Sequence, residues 1–277
     1  SLPCLFAGAD QQHLQDFTDL QQLWQQQSEK LPGQAKHLNM PALPGNLPEI
    51  APLPVTHRQV VTWGLYNPAS LGSNNNAVCM LQPETMKLYG QQWLPALVAR
   101  EVFPGGHLQQ SWQTSRTSLP SMRRWLQFKW FTEGWKLYSL LYTAENNGFE
   151  SPAQKAGALQ LALLEVVKLQ QALQVFLDGK APEQAIVSLQ AETGLPAEVA
   201  RASLFEVMAN PAQAAAAVTG ALRIAELHQL ARKEGRSTAD FHLWVLQQGA
   251  LPWKLLQKTF FSDFLKEQHP QELATNP

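Results

Sequence analysis

Few side chains in this 277-residue chain are spaced for chemistry. The densest run of them is Arg100-Glu101-Val102-Phe103-Pro104-Gly105-Gly106-His107-Leu108-Gln109. It sets a carboxylate and an imidazole on either side of a Pro-Gly-Gly break, with a guanidinium next to the carboxylate. A glutamate can serve as a general base and a neutral imidazole can ligate a metal, but by type alone both are ordinary polar residues at a helix end. Glu133 is a further candidate that reads equally well as a first-turn or capping acid, since carboxylates favour helix starts. His228 and His242 fall on separate predicted helices and have no histidine four residues away, so their spacing makes no zinc pair. His13, His37 and His57 sit in Gln-rich or Pro-rich sequence and read as solvated side chains. Cys4 and Cys79 are too few for a disulfide framework or a cysteine metal cluster.

The elements that must position these groups are mostly helices. A composition that is 45% hydrophobic with nine tryptophans argues for a packed globular chain. Twenty-one basic and 22 acidic residues leave a net charge of -1, with no run of one sign, which excludes a nucleic-acid footprint. No apolar stretch is long enough to span a bilayer, and oligomeric state leaves no mark in the sequence. A chain that opens on Ser1 is expected of a trimmed or processed polypeptide. Apolar spacing predicts an amphipathic helix over residues 10–30, and the prolines of 31–56 predict an extended linker. Residues 1–56 therefore form an N-terminal helix and linker, and 57–277 the main domain. Strands are expected at 59–66 and 77–82, followed by helices at about 84–103, 120–147, 152–178, 182–193, 196–208, 211–234, 238–248 and 252–266. Ser151-Pro152 and Gly179 mark the ends of one of them. Trp125, Trp130 and Trp135 recur every five residues, which is no single helical face, so most should be core.

The Arg100–Gln109 stretch resembles the H-E-x-x-P-G-H-H-L-Q motif of the bacterial family called domain of unknown function 885, whose members are similar to zincin metallopeptidases. Thr132-Glu133-Gly134-Trp135-Lys136-Leu137-Tyr138 resembles that family's E-G-W-A-L-Y-A-E segment. Further likenesses follow in family order at Pro182–Ile186, Glu198–Arg201, Pro211–Ala214 with Gly220, Phe241-His242 and Gly249–Pro252. Family chains run to about double this length, so the matched part looks like their C-terminal, motif-bearing half.

The resemblance implies a mainly α fold with a small β-sheet, a zincin-like helical half-domain, and a zinc site whose ligands are substituted. Arg100 stands where the first motif histidine would be and Gly106 where the first of the H-H pair would be. Leu140 takes the place of the final glutamate, Phe176 of a later histidine and Ala217 of a tyrosine. Glu101, His107 and Glu133 survive at the vestigial site, and Tyr138, Arg201, Gln213 and His242 are peptide or cleft candidates. A guanidinium offers no lone pair and repels a dication. Arg100 is therefore expected to pair with Glu101 or Glu133, with zinc lost and no cofactor in its place. The function implied is a pseudopeptidase that binds a peptide or protein partner or is a structural subunit. Residues 76–82 are expected to lie beside the site as a strand with a free edge to which a peptide could add. Two rivals are an active metallohydrolase using His107, Glu101 and one further ligand, and one part of a longer or split protein. The resemblance is to bacterial proteins and allows an exported or periplasmic location.

Overall fold

The computed structural model describes residues 17–58, 61–69, 76–84 and 93–265. The chain forms α1 (Phe17–Glu29), α2 (Leu31–His37), β1 (Glu49–Pro52), β2 (Gly64–Asn67), β3 (Val78–Leu81), α3 (Leu94–Glu101), α4 (Gly106–Ser115) and α5 (Ser121–Trp125). The rest is helical: α6 (Lys129–Glu145), α7 (Pro152–Asp178), α8 (Pro182–Thr193), α9 (Ala197–Ala209), α10 (Pro211–Lys233), α11 (Thr238–Gln248) and α12 (Trp253–Thr259), closed by a π turn at Phe260–Phe264. The fold is thus mainly α with a small sheet, as the sequence implies.

Local signals account for the best-defined ends. The Ser151 hydroxyl accepts from the Gln154 backbone N–H, Pro152 occupies the first helical turn, and Gly179 ends α7 at φ +69°. Every residue of α3 is buried. A helix without a polar face must lie inside the fold, and this carries Arg100 and Glu101 into the interior. Gly105 lets the chain reverse there, because a β-carbon would lie 1.8 Å from the Arg100 carbonyl oxygen.

Several expectations need correction. The proline-rich segment is not a linker: Pro32 is tolerated in the first turn of α2, and Pro52 ends a strand that borders the sheet. The sheet order is β1-β3-β2, with β1 parallel and β2 antiparallel to β3. Both sides of β3 are therefore paired, and a peptide cannot add to it. The sheet runs across residue 56, and Leu20, Trp24 and Leu38 share one core with Trp93, Trp135 and Phe241. No break in the core coincides with the expected division into 1–56 and 57–277.

The helix expected over 120–147 is broken at Leu126–Phe128. The Gln113 side chain stabilises that break by donating to the carbonyls of Arg123 (3.0 Å) and Leu126 (2.7 Å). Residues 116–119 precede α5, and α4 itself had no counterpart in the expected elements. The strand expected at 59–66 is Gly64–Asn67, and of the helix expected over 84–103 the described residues form the helix Leu94–Glu101 and a helical Glu84; residues 59–60 and 85–92 lie outside the described residues, as do His13 and Cys4. Of the spaced tryptophans, Trp135 is core, Trp130 is half-buried and Trp125 is exposed.

The α6 and α10 helices cross in close contact through two glycines. A β-carbon on Gly134 would sit 2.6 Å from the Gly220 backbone, and one on Gly220 would lie 1.8 Å from the Trp130 carbonyl oxygen. Gly220→Ala must push the two helices apart. It is expected to lower stability by at least ~1–3 kcal/mol in urea unfolding, despite the better helix propensity of alanine; a neutral or stabilising effect would contradict this packing.

Candidate functional site

Four carboxylates and four cations converge where α3, α6, α7 and α9 meet. Arg100 pairs with Glu101, and its Nη2 lies 3.4 Å from Glu165 and 3.7 Å from Glu133. Lys136 Nζ reaches Glu101 at 3.2 Å and Glu133 at 3.4 Å. Lys168 Nζ bridges Glu165 at 3.0 Å and Glu206 at 3.8 Å. Lys129 closes the rim 3.9 Å from Glu133. Two of the cations lie against the Trp63 ring, its centroid 5.2 Å from Arg100 and 5.1 Å from Lys168. Thr62 donates its backbone N–H to Glu206 at 3.1 Å. These groups border a cavity of about 350 Å³ that also meets β2, Gln213 and Ala217.

Burial alone would neutralise such groups, and their partners reverse its effect. For Arg100, burial lowers the pKa and the carboxylates of Glu101, Glu165 and Glu133 more than offset it. Burial likewise lowers those of Lys136 and Lys168, which their glutamates raise above the ordinary value. Burial raises that of Glu133, but Lys136, Arg100 and Lys129 hold it below the usual carboxylate range. The cluster is a charged network in which every ion has a counter-ion, while the buried Arg100 Nε has no hydrogen-bond partner among the described residues.

Three of the residues singled out in the sequence meet here: Arg100, Glu101 and Glu133. Glu133 lies on the fifth residue of α6 and is buried, so it is not a capping acid. Gly106 lies next to the cluster, where a β-carbon would come within 2.9 Å of Lys136 Cε; the lysine stem takes up the space that a side chain at position 106 would need. Leu140 is fully buried and does not border the cavity. Glu133, from the same helix, does border it. Ala217 borders the cavity, whereas Phe176 is half exposed on α7. Lys136, Glu165, Lys168 and Glu206 were missed. Lys136 follows Glu133, and Lys168 follows Glu165, by three residues, a spacing that in sequence reads as a solvated helix face.

His107 is not in the cluster. Its Nε2 lies 2.8 Å from the Asn46 carbonyl and its Nδ1 2.7 Å from the Tyr66 hydroxyl. The carbonyl can only accept, so Nε2 carries the proton and Nδ1 accepts from Tyr66. Burial lowers the His107 pKa although the Asn46 contact raises it, and burial raises that of Tyr66. Both nitrogens are engaged, and the ring borders a separate polar pocket of about 300 Å³.

Tyr138 and His242 belong to a third group. His242 Nδ1 lies 3.0 Å from the Asn39 carbonyl, which fixes its proton there and makes Nε2 the acceptor for the Tyr138 hydroxyl at 2.8 Å. Tyr138 then accepts from His228 Nδ1 at 2.8 Å, and His228 Nε2 accepts from Thr238 at 3.1 Å. In this arrangement both imidazoles are neutral. Burial and Arg232 lower the His228 pKa to about 4; burial and His228 lower that of His242 to about 3, against the raising contact to Asn39. This is structural chemistry, and it ties α6, α10 and α11 to the N-terminal segment. Arg201 is exposed on α9 and borders neither cavity; Gln213 borders the charged one.

Two outcomes follow. Arg100→Ala leaves three buried carboxylates short of a partner and is expected to cost ~3–5 kcal/mol in denaturant unfolding; a loss below about 1 kcal/mol would mean that the guanidinium contributes no more than a surface charge. In addition, His107, His228 and His242 all have folded pKa values below that of an unfolded histidine, about 6.5. Their contribution is fully present above about pH 6.5 and is lost as pH falls toward the folded values, because the unfolded chain takes up the protons. Unfolding followed from pH 7 to 5 should show proton uptake and falling stability, steeper than in His242→Gln; a flat profile would contradict the neutral assignment.

Comparison with other proteins fits this architecture. The crystal structure of the putative lipoprotein from Colwellia psychrerythraea matches with a TM-score of 0.84 and 24% identity, covering 96% of this chain and 46% of that one. The structure of a putative lipoprotein of unknown function from Shewanella oneidensis matches with a TM-score of 0.71 and 17% identity, covering 88% of this chain and 46% of that one. The chain thus spans about half the length of these two proteins, and at such identities the likeness is one of fold. No curated protein matches it. The family model "Bacterial protein of unknown function (DUF885)" matches residues 6–259, and the chain belongs to that family.

Proposed function

We propose that this chain is a catalytically inactive, metallopeptidase-like member of its family, in which a network of ion pairs holds the cleft together without zinc and the cavity receives a peptide or protein segment. The observation that carries the reading is the placement of Arg100. Its guanidinium sits against Glu101, Glu133 and Glu165, supplying positive charge where a zincin would need a dication. The residues present do not fit zinc. Gly106 brings no imidazole, Lys136 fills the space beside it, and both nitrogens of His107 are engaged elsewhere. Among the described residues no three His, Cys, Asp or Glu side chains are placed to hold a metal ion. The rival ligand set of Glu101 and His107 is disfavoured by the same geometry, since the two border different pockets.

The peptide-binding part rests on β2. With β3 paired on both sides, β2 has one strand neighbour among the described residues and runs along the charged cavity. An extended segment adding there would make main-chain hydrogen bonds, and the alternating charges within the cavity suit the termini or polar side chains of a peptide. An exported location is part of the proposal, drawn from the lipoprotein description of the two structural relatives. Among the described residues no helix is long and apolar enough to cross a membrane.

Metal analysis of protein purified without chelator should find far less than one zinc per chain, and added zinc should leave the thermal midpoint unchanged. Arg100→His alone should not produce peptide hydrolysis, because Lys136 still occupies the space beside Gly106. Stoichiometric zinc, or hydrolysis after that single change, would overturn the assignment.

A further inference from the structure

The short helix α5 has its polarity reversed. Met122, Trp125 and Leu126 stand at i, i+3 and i+4, one face of a turn, and that face is exposed, Met122 by 75%. The arginines between them turn toward the body of the protein: Arg123 Nη2 donates to the Gln248 carbonyl at 2.8 Å, and Arg124 Nε to the Thr114 carbonyl at 2.8 Å. Arg116, between α4 and α5, donates likewise to the Gln247 carbonyl. No residue of α5 is buried. Water selects the opposite arrangement, with the apolar stripe inward and the charges outward, so this tip is mismatched to water alone.

The arginines keep their charge. Backbone carbonyls carry no net charge, and among the described residues no ion pair involves Arg116, Arg123 or Arg124. From Val102 to Thr132 the sequence holds no Asp or Glu, against Arg116, Arg123, Arg124 and Lys129; of these, Lys129 reaches a carboxylate, Glu133 at 3.9 Å. The segment packed behind α5 repeats the bias. Phe241 to Ser262 has no acid either, and it adds Lys254 and Lys258, both exposed. The two stretches are joined by the Arg116 and Arg123 contacts and by Trp130 Nε1, 2.8 Å from the Leu251 carbonyl. Folding thus gathers cations from two separate stretches of a chain whose net charge is -1.

The order of the groups selects the occupant. The apolar side chains are outermost, and the three arginines are set back against the body, half-buried. A nucleic acid or an acidic protein would call for cations at the tip. A bilayer presents the matching order, anionic phosphates first and acyl chains beneath, and tryptophan is favoured at that boundary. We infer that α5 docks the chain onto the surface of an anionic phospholipid bilayer, with Met122, Trp125 and Leu126 entering the headgroup layer and Arg116, Arg123 and Arg124 behind them at the depth of the phosphates. Residues 116–128 line neither the charged cavity nor the pocket at His107, so docking and peptide binding are separable.

Co-sedimentation of the 277-residue chain with lipid vesicles tests this directly. The chain should bind vesicles of equimolar phosphatidylglycerol and phosphatidylcholine, and bind phosphatidylcholine alone at least ~10-fold more weakly. Ser118→Glu with Ser121→Glu, at two exposed positions, adds carboxylates to the acid-free stretch and should weaken binding by at least ~10-fold. Helix content should not change, because an acid at the start of α5 suits the helix. Met122→Ser with Trp125→Ser removes the apolar tip and should also weaken binding at least ~10-fold. No binding to the anionic vesicles, the outcome if a protein partner covers this face, would overturn the inference. So would equal binding to both kinds of vesicle, a carboxylate variant that binds as the unaltered chain does, or binding insensitive to Met122→Ser with Trp125→Ser, the mark of a general polyanion site.

Discussion

Arg100 is the group on which the interior depends. A guanidinium cannot shed its proton at any accessible pH, so once α3 is buried the fold must bring carboxylates to it. Glu101 comes from the same helix, Glu133 from α6 and Glu165 from α7. Each carboxylate then needs a second cation, which Lys136 and Lys168 supply, and Lys168 in turn draws in Glu206 from α9. The requirement that no charge be left unpaired thus spreads from one residue across four helices. Such a network adds little net stability over an apolar core, but it penalises any arrangement in which one member is out of place.

Among the described residues, three side-chain groups divide the polar interior by the kind of partner that satisfies them. Around Arg100 the partners are formal charges; around His107 they are a carbonyl and a phenol; around Tyr138 they are two neutral imidazoles closed by Asn39 and Thr238. The last two groups carry no net charge and depend on fixed proton positions, whereas the first depends on full ionisation. Among the described residues two structural histidine networks thus stand beside one electrostatic cluster, and the cluster borders the charged cavity.

How much of this was written locally in the chain varies from element to element. The helices from α7 onward follow closely from Ser151-Pro152, Gly179, Pro182, Pro211 and the spacing of their apolar residues, because those signals act within a few residues. The N-terminal third does not, since β1 exists only by pairing with β3 and its prolines sit where an edge strand tolerates them. In the site, the placement of Arg100 beside Glu101 and Glu133 follows from charge. Lys136 and Lys168 were not legible because their pairing with glutamates three residues earlier looks like an exposed helix surface until the helices pack. His107 shows the opposite error: expected beside Glu101, it borders a different pocket. Leu140, expected in the place of a motif carboxylate, lies in the core away from the cavity.

The central claim is that a guanidinium, and not a metal, balances the buried carboxylates. Crystals grown in excess zinc and measured on both sides of the zinc absorption edge would test it most directly. The account predicts no anomalous peak between positions 100, 101 and 133, with the Arg100 guanidinium seated against Glu101, Glu133 and Glu165. A strong peak at that place, with Arg100 displaced and Glu101 or Glu133 within coordination distance of ~2.0–2.2 Å, would contradict it.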